Sequence, residues 1–161
     1  MSESPYLKND SRLADVIAAI QVMATYKYYK LNFEGWANRI TGDESNAVHW
    51  ERVFTEHPEF FRLDSKKKRA SLVWRRQHQR LFDVDREVKL TREEYDNLAG
   101  EQRERISRTP LVSDEIAMLV KAGIELHSRA LERKKDSRWW IPVVAGLAGA
   151  IVGAAIKTVT T

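Results

Sequence analysis

Residues 139–156, WWIPVVAGLAGAIVGAAI, form an uncharged run of eighteen residues. No face of this run carries the polar stripe that a helix packed on the outside of a domain keeps. As a helix it rises about 27 Å, against a hydrocarbon core of about 30 Å. The sequence therefore predicts a transmembrane helix over 139–156. Trp139 and Trp140 stand where interfacial aromatics sit, and Pro142 falls in the first turn, where a missing N–H costs little. Arg133, Lys134, Lys135 and Arg138 precede the run and only Lys157 follows it. Basic residues stay on the cytoplasmic side, so the expected topology is a single-pass, tail-anchored membrane protein with its N-terminus in the cytoplasm. Arg138, Trp139, Trp140 and Lys157 are the expected membrane-interface residues. A buried C-terminal helix of a soluble domain is the competing reading, kept open by the Ala and Gly content.

The small residues within the run recur. Ala145, Gly149 and Gly153 are four apart, and 149–153 reads GxxxG. Such a stripe lets two helix backbones approach closely, which points to helix–helix association and a homo-oligomer. An oligomer of this kind could also act directly, as an effector that perturbs the bilayer.

The remaining 135 or so residues suffice for one domain with a core of its own plus a stalk. Cysteine is absent, which excludes disulfides, thiol catalysis and Cys-ligated zinc. The start, MSESPYLKND, lacks the basic-then-apolar order of a signal peptide. Net charge is +4 and unevenly placed: residues 62–80 hold eight basic side chains against Asp64 alone, a local charge of +7.

Residues 1–9 read as a flexible N-terminus. Asp10 or Ser11 caps a first helix whose apolar face is Leu13, Ile17, Ile20, Met23 or Ala24, and Tyr28. Asn32 caps a second helix carrying Phe33, Trp36 and Ile40, and Gly42 closes it. A third opens at 43–45, turns Ala47, Trp50, Val53 and Phe54 inward, and stops at His57–Pro58. The period then changes to that of two short strands, 60–63 and 70–74, joined by the charged turn 64–69. Three short helices followed by a basic hairpin over 10–76 resemble a winged helix. That resemblance implies a recognition-type helix at 43–57 and a wing tipped by Lys66–Arg69. Residues 77–112 read as a linker with one short helix, started by the capping box Thr91–Glu94. Residues 113–136 read as an amphipathic stalk with the face Ile116, Leu119, Val120, Gly123, Ile124, His127, Ala130 and Leu131. The expected fold class is mainly α: a winged-helix-like domain with a two-stranded hairpin, then helices, then a membrane helix.

Chemistry is sparse in the sequence. His49, His57, His78 and His127 have no metal-site spacing, and no nucleophile elbow or phosphate-cradling glycine loop occurs. No cofactor or enzyme activity is expected. The basic hairpin is the strongest functional candidate: Lys66, Lys67, Lys68, Arg69, Arg75 and Arg76 could contact phosphates of anionic lipid or of nucleic acid. A solvated turn that keeps a sheet edge from aggregating explains the same charge. Against DNA stands the third helix, whose residues 43–57 hold four acidic side chains and one arginine. The sequence thus favours a non-enzymatic membrane protein with a cytoplasmic interaction domain and a possible protein partner. A membrane-tethered nucleic-acid-binding regulator is the alternative.

Overall fold

The computed structural model describes residues 4–136. The chain is mainly helical, with six α-helices and two small antiparallel sheets among these residues.

Helix α1, Arg12–Thr25, leads through a tyrosine-rich loop to strand β1, Lys30–Asn32. Helix α2, Phe33–Thr41, follows at once. Its cap is the expected one: the Asn32 side chain accepts from Gly35 N at 3.0 Å, which satisfies a free N–H of the first turn. Gly42 ends it in the left-handed region at φ 76°, where a Cβ is unfavourable. A 3-10 turn, Glu44–Asn46, introduces helix α3, Ala47–Glu56. Strands β2, Phe61–Leu63, and β3, Arg69–Leu72, form the expected hairpin.

The sheet has three strands rather than two, in the order β1-β3-β2. The third strand leaves no strand signal in the sequence, because Lys30–Asn32 is only three residues long and sits against a helix cap. Its polar–apolar–polar pattern nevertheless places Leu31 opposite Ala70 on the core face. Ala70 is fully buried and pairs with Leu63 on its other side.

The core lies between α1, α2, α3 and this sheet, with the last helix, α6, Ser113–Asp136, packed along α1. Aromatic rings fill its centre. Phe54 of α3 meets Phe61 edge-on at 5.0 Å and stacks with Phe33 at 6.3 Å. The buried face of α1 is rotated from the expected one. Val16, Ala19, Ile20, Met23 and Ala24 point inward, whereas Leu13 and Ile17 are half-buried. Tyr28 lies beyond the helix, which ends at Thr25. The N-terminal arm is also not loose throughout, because Tyr6 in the 3-10 turn Pro5–Leu7 is buried in the core.

The segment read as a linker is a second small unit. Strands β4, Phe82–Asp83, β5, Val88–Lys89, and β6, Ile106–Ser107, make a sheet ordered β5-β4-β6. Leu81, Val84, Leu90 and Ile106 are its buried apolar side chains, and Ser107 is buried beside them. Helix α4, Arg92–Asp96, begins at the expected capping box, and α5, Gly100–Glu104, follows it. The four apolar side chains are spaced too irregularly among charges to show a period.

Helix α6 divides the stripe seen in the sequence. Leu119, Gly123 and Ala130 are buried against the domain, while Ile124 and Leu131 remain 45 % and 41 % exposed. Among the described residues no helix is long and apolar enough to cross a membrane. The span expected over 139–156, its small residues Ala145, Gly149 and Gly153, and Arg138, Trp139, Trp140 and Lys157 lie outside the described residues.

Candidate functional site

The register of the first sheet assembles a basic surface. Residues directly opposite on neighbouring strands share a face. Ser71 lies opposite Lys30 on one side and Arg62 on the other, and Arg69 lies opposite Asn32. Because Ala70, Leu31 and Leu63 face the core, Lys30, Arg62 and Arg69 stand on the outer face. The turn beyond them exposes Lys66, Lys67 and Lys68. Six basic side chains thus gather around Asp64 as the one acidic group of the hairpin.

Asp64 shapes the turn. Its carboxylate accepts from the backbone N–H of Lys68 at 3.0 Å and of Arg69 at 3.3 Å. These hydrogen bonds, foremost that from Lys68, hold its pKa below the ordinary aspartate value, with Lys30 and Arg69 adding to the effect. Lys67 takes φ 52°, an uncommon choice for a residue with a Cβ. Arg62, Lys66, Lys67 and Lys68 have no ion-pair partner among the described residues, so their charge is available to an anionic ligand.

Of the six residues expected from the sequence, Lys66, Lys67, Lys68 and Arg69 are together at the turn, and Arg76 is exposed in the 3-10 turn Trp74–Gln77. Arg75 is not a contact residue. It is fully buried, and its guanidinium donates to Met23 O at 2.9 Å, Arg108 O at 2.9 Å, Lys27 O at 3.3 Å and Tyr26 O. Burial pushes its pKa down to about 10, which still leaves it charged near neutral pH. Its neighbour in sequence, Arg76, gives no hint of this difference. Lys30 carries no sequence signal of a part in this surface, because only its pairing with β3 brings it to the hairpin. The loop before it carries further basic contacts: Arg39 lies over the Tyr26 ring at 4.9 Å, Arg108 over Tyr29 at 5.3 Å and Arg105 over Tyr28 at 5.8 Å.

Three of the four histidines pair with carboxylates, while His127 meets the Tyr6 ring edge-on at 6.0 Å. His49 lies 3.2 Å from Asp15, and His78 lies 3.0 Å from Glu115. His57 is fully buried, 3.0 Å from Glu59, with the Tyr6 ring edge-on at 4.5 Å. Among the described residues no group of three or more His, Asp or Glu could hold a metal ion. An open cleft of about 610 Å³ is lined by Lys8, Arg12, His49, Arg52 and Glu56. Glu56 bridges Lys8 at 2.8 Å and Arg12 at 3.1 Å there, while Nε and Nη1 of Arg12 are buried without a hydrogen-bond partner among the described residues.

The face of α3 away from the core exposes Val48, Glu51, Arg52 and Thr55, with Glu44 and Ser45 just before the helix. It brings no excess of positive charge to accompany the hairpin. Comparison with protein-family models, with curated proteins and with solved structures found no match for the chain.

Proposed function

We propose that this chain is a non-enzymatic membrane protein whose described domain is a cytoplasmic interaction module, held at the bilayer by residues 139–156 and self-associating. The observation that carries the reading is the uncharged run itself, beginning shortly after a helix whose last turn holds Arg133, Lys134 and Lys135. A cluster of this sign beside an apolar run favours retention of the preceding domain in the cytoplasm.

Self-association draws support from α6. Its 24 residues extend about 36 Å, against about 21 Å for the 14 of α1 on which it packs. Ile124 and Leu131 lie one heptad apart and exposed, beside the seam that Leu119, Gly123 and Ala130 bury. Two parallel copies anchored side by side would cover those two residues, and Ala145, Gly149 and Gly153 would continue the contact within the bilayer. We read residues 10–76 as winged-helix-like from the order α1–β1–α2–α3–β2–β3 with β3 central.

Carbonate extraction of membranes from cells expressing the full chain tests the anchor. Retention in the pellet is expected, with release once residues 139–156 are deleted. Release of the full chain would remove the reading. Sedimentation of the detergent-solubilised chain tests association, which Gly149→Ile is expected to weaken.

A further inference from the structure

We infer that the outer face of the β1-β3-β2 sheet, with Lys30, Arg62 and Arg69 on its strands and Lys66, Lys67 and Lys68 at its tip, is a docking surface for the anionic headgroups of a membrane. The inference rests on the anchored reading above and adds to it a second contact with the bilayer.

Charge complementarity is the first argument. Six basic side chains against Asp64 occupy three strands and one turn, and Arg62 and the three lysines have no ion-pair partner among the described residues. Neighbouring strands lie about 4.8 Å apart, so Lys30 and Arg62, flanking the central strand, are about 10 Å apart at the backbone. Their flexible stems let each ammonium or guanidinium find its own phosphate on a fluid surface.

Shape separates the lipid from a nucleic acid. A planar bilayer can meet the projecting turn 65–69, every residue of which is exposed, together with the outer face of the strands behind it. A duplex contacting the wing and the adjoining helix would meet residues 43–57, where four acidic side chains outnumber one arginine. The tip also carries no large apolar side chain: the exposed large hydrophobic residues among those described are Val48, Val88, Val112, Met118, Ile124, Leu126 and Leu131. Attachment is therefore electrostatic and weak by itself. An anchor on the same chain makes it effective by holding the surface at high local concentration beside the headgroups.

A single dye tests this cleanly, because the chain has no cysteine of its own. Ser65→Cys in the full chain, labelled with an environment-sensitive fluorophore, is reconstituted with vesicles of phosphatidylcholine alone or with phosphatidylserine added. Flotation reports anchoring and dye emission reports docking. The expected result is flotation with both vesicles but a blue shift only with phosphatidylserine, reversed by salt. Each neutralised residue among Lys30, Arg62 and Arg69 should weaken the effective docking about five-fold. A Lys66→Gln, Lys67→Gln, Lys68→Gln form, altered only at exposed turn positions, provides the same readout should the strand variants fold poorly. Flotation without a lipid-dependent shift overturns the docking inference and leaves the anchor standing. Failure to float with either vesicle overturns both. A shift produced on phosphatidylcholine vesicles by added duplex DNA or RNA, and not by phosphatidylserine, assigns the surface to nucleic acid and overturns the lipid assignment.

Discussion

The indole Nε1 of Trp36 donates to the carbonyl oxygen of Ala70 at 2.9 Å, inside the core. Trp36 belongs to α2, and Ala70 pairs with Leu31 of β1 on one side and Leu63 of β2 on the other. One hydrogen bond thus fixes how α2 sits on the strand that positions Arg69 and the basic turn. Trp36→Phe keeps most of the ring and removes the donor, leaving a buried carbonyl short of a partner. The expected loss is about 1–3 kcal/mol in denaturant unfolding of the full chain in detergent. A loss no greater than that of a surface substitution would show that the bond does not matter.

Arg75 ties together parts of the chain that its sequence neighbours do not reach. Its four carbonyl acceptors come from the end of α1, the loop after it, and Arg108 near the second sheet. Arg75→Met removes the charge and keeps much of the volume, yet strands those acceptors in a dry site. Destabilisation of about 3 kcal/mol or more is expected, and Arg75→Lys should recover only part of it because a single ammonium cannot match the planar fork. Hydrogen exchange should locate the damage at Tyr26–Lys27 and at Arg108 rather than at the hairpin tip.

Gly42 carries a cost that is purely backbone. At φ 76° it closes α2, and a Cβ built there would meet nothing within 4 Å. Gly42→Ala should therefore destabilise by about 1 kcal/mol through conformational strain alone, and Gly42→Asn by less. Equal effects of the two substitutions, read from thermal unfolding by far-ultraviolet circular dichroism, would point to a contact instead. At Lys67, φ 52° makes the opposite case: Lys67→Gly relieves strain and should cost no stability while removing a charge from the turn.

The readable parts of this fold were those with local causes. Asn32, Gly42 and the Thr91–Glu94 capping box mark helix ends through bonds and torsions within a few residues, and each does so in the structure. The unreadable parts depend on partners far along the chain. Lys30–Asn32 becomes a strand only because Arg69–Ser71 lies beside it, and that pairing alone brings Lys30 to the hairpin. Arg75 and Arg76 are chemically alike neighbours, and only the path of the loop at 26–27 decides that the first is interior. Residues 78–112 hold too few apolar side chains in regular spacing to announce a sheet, although Leu81, Val84, Leu90 and Ile106 are all buried.

Glu59 should give the fold a pH dependence of definite sign. Burial alone would raise its carboxyl pKa, but the hydrogen bonds from His57, its own backbone N–H and Tyr6 outweigh that and hold it below the ordinary glutamate range. The Tyr6 hydroxyl donates to it at 2.8 Å, so the same carboxylate links the N-terminal turn to the end of α3. A carboxylate with a folded pKa lower than its unfolded one binds fewer protons in the folded state. Its stabilisation is complete above the ordinary glutamate range and is lost as pH falls through the depressed folded value. Glu59→Gln keeps one acceptor oxygen, turns the other into an NH2 donor and removes the charge. It should be about 1 kcal/mol less stable than the parent near neutral pH, and the gap should close on acidification through that window. Urea midpoints of both chains followed across the acid range provide the check. A gap that stays constant with pH would mean that the amide disturbs packing and that the charge on Glu59 contributes nothing.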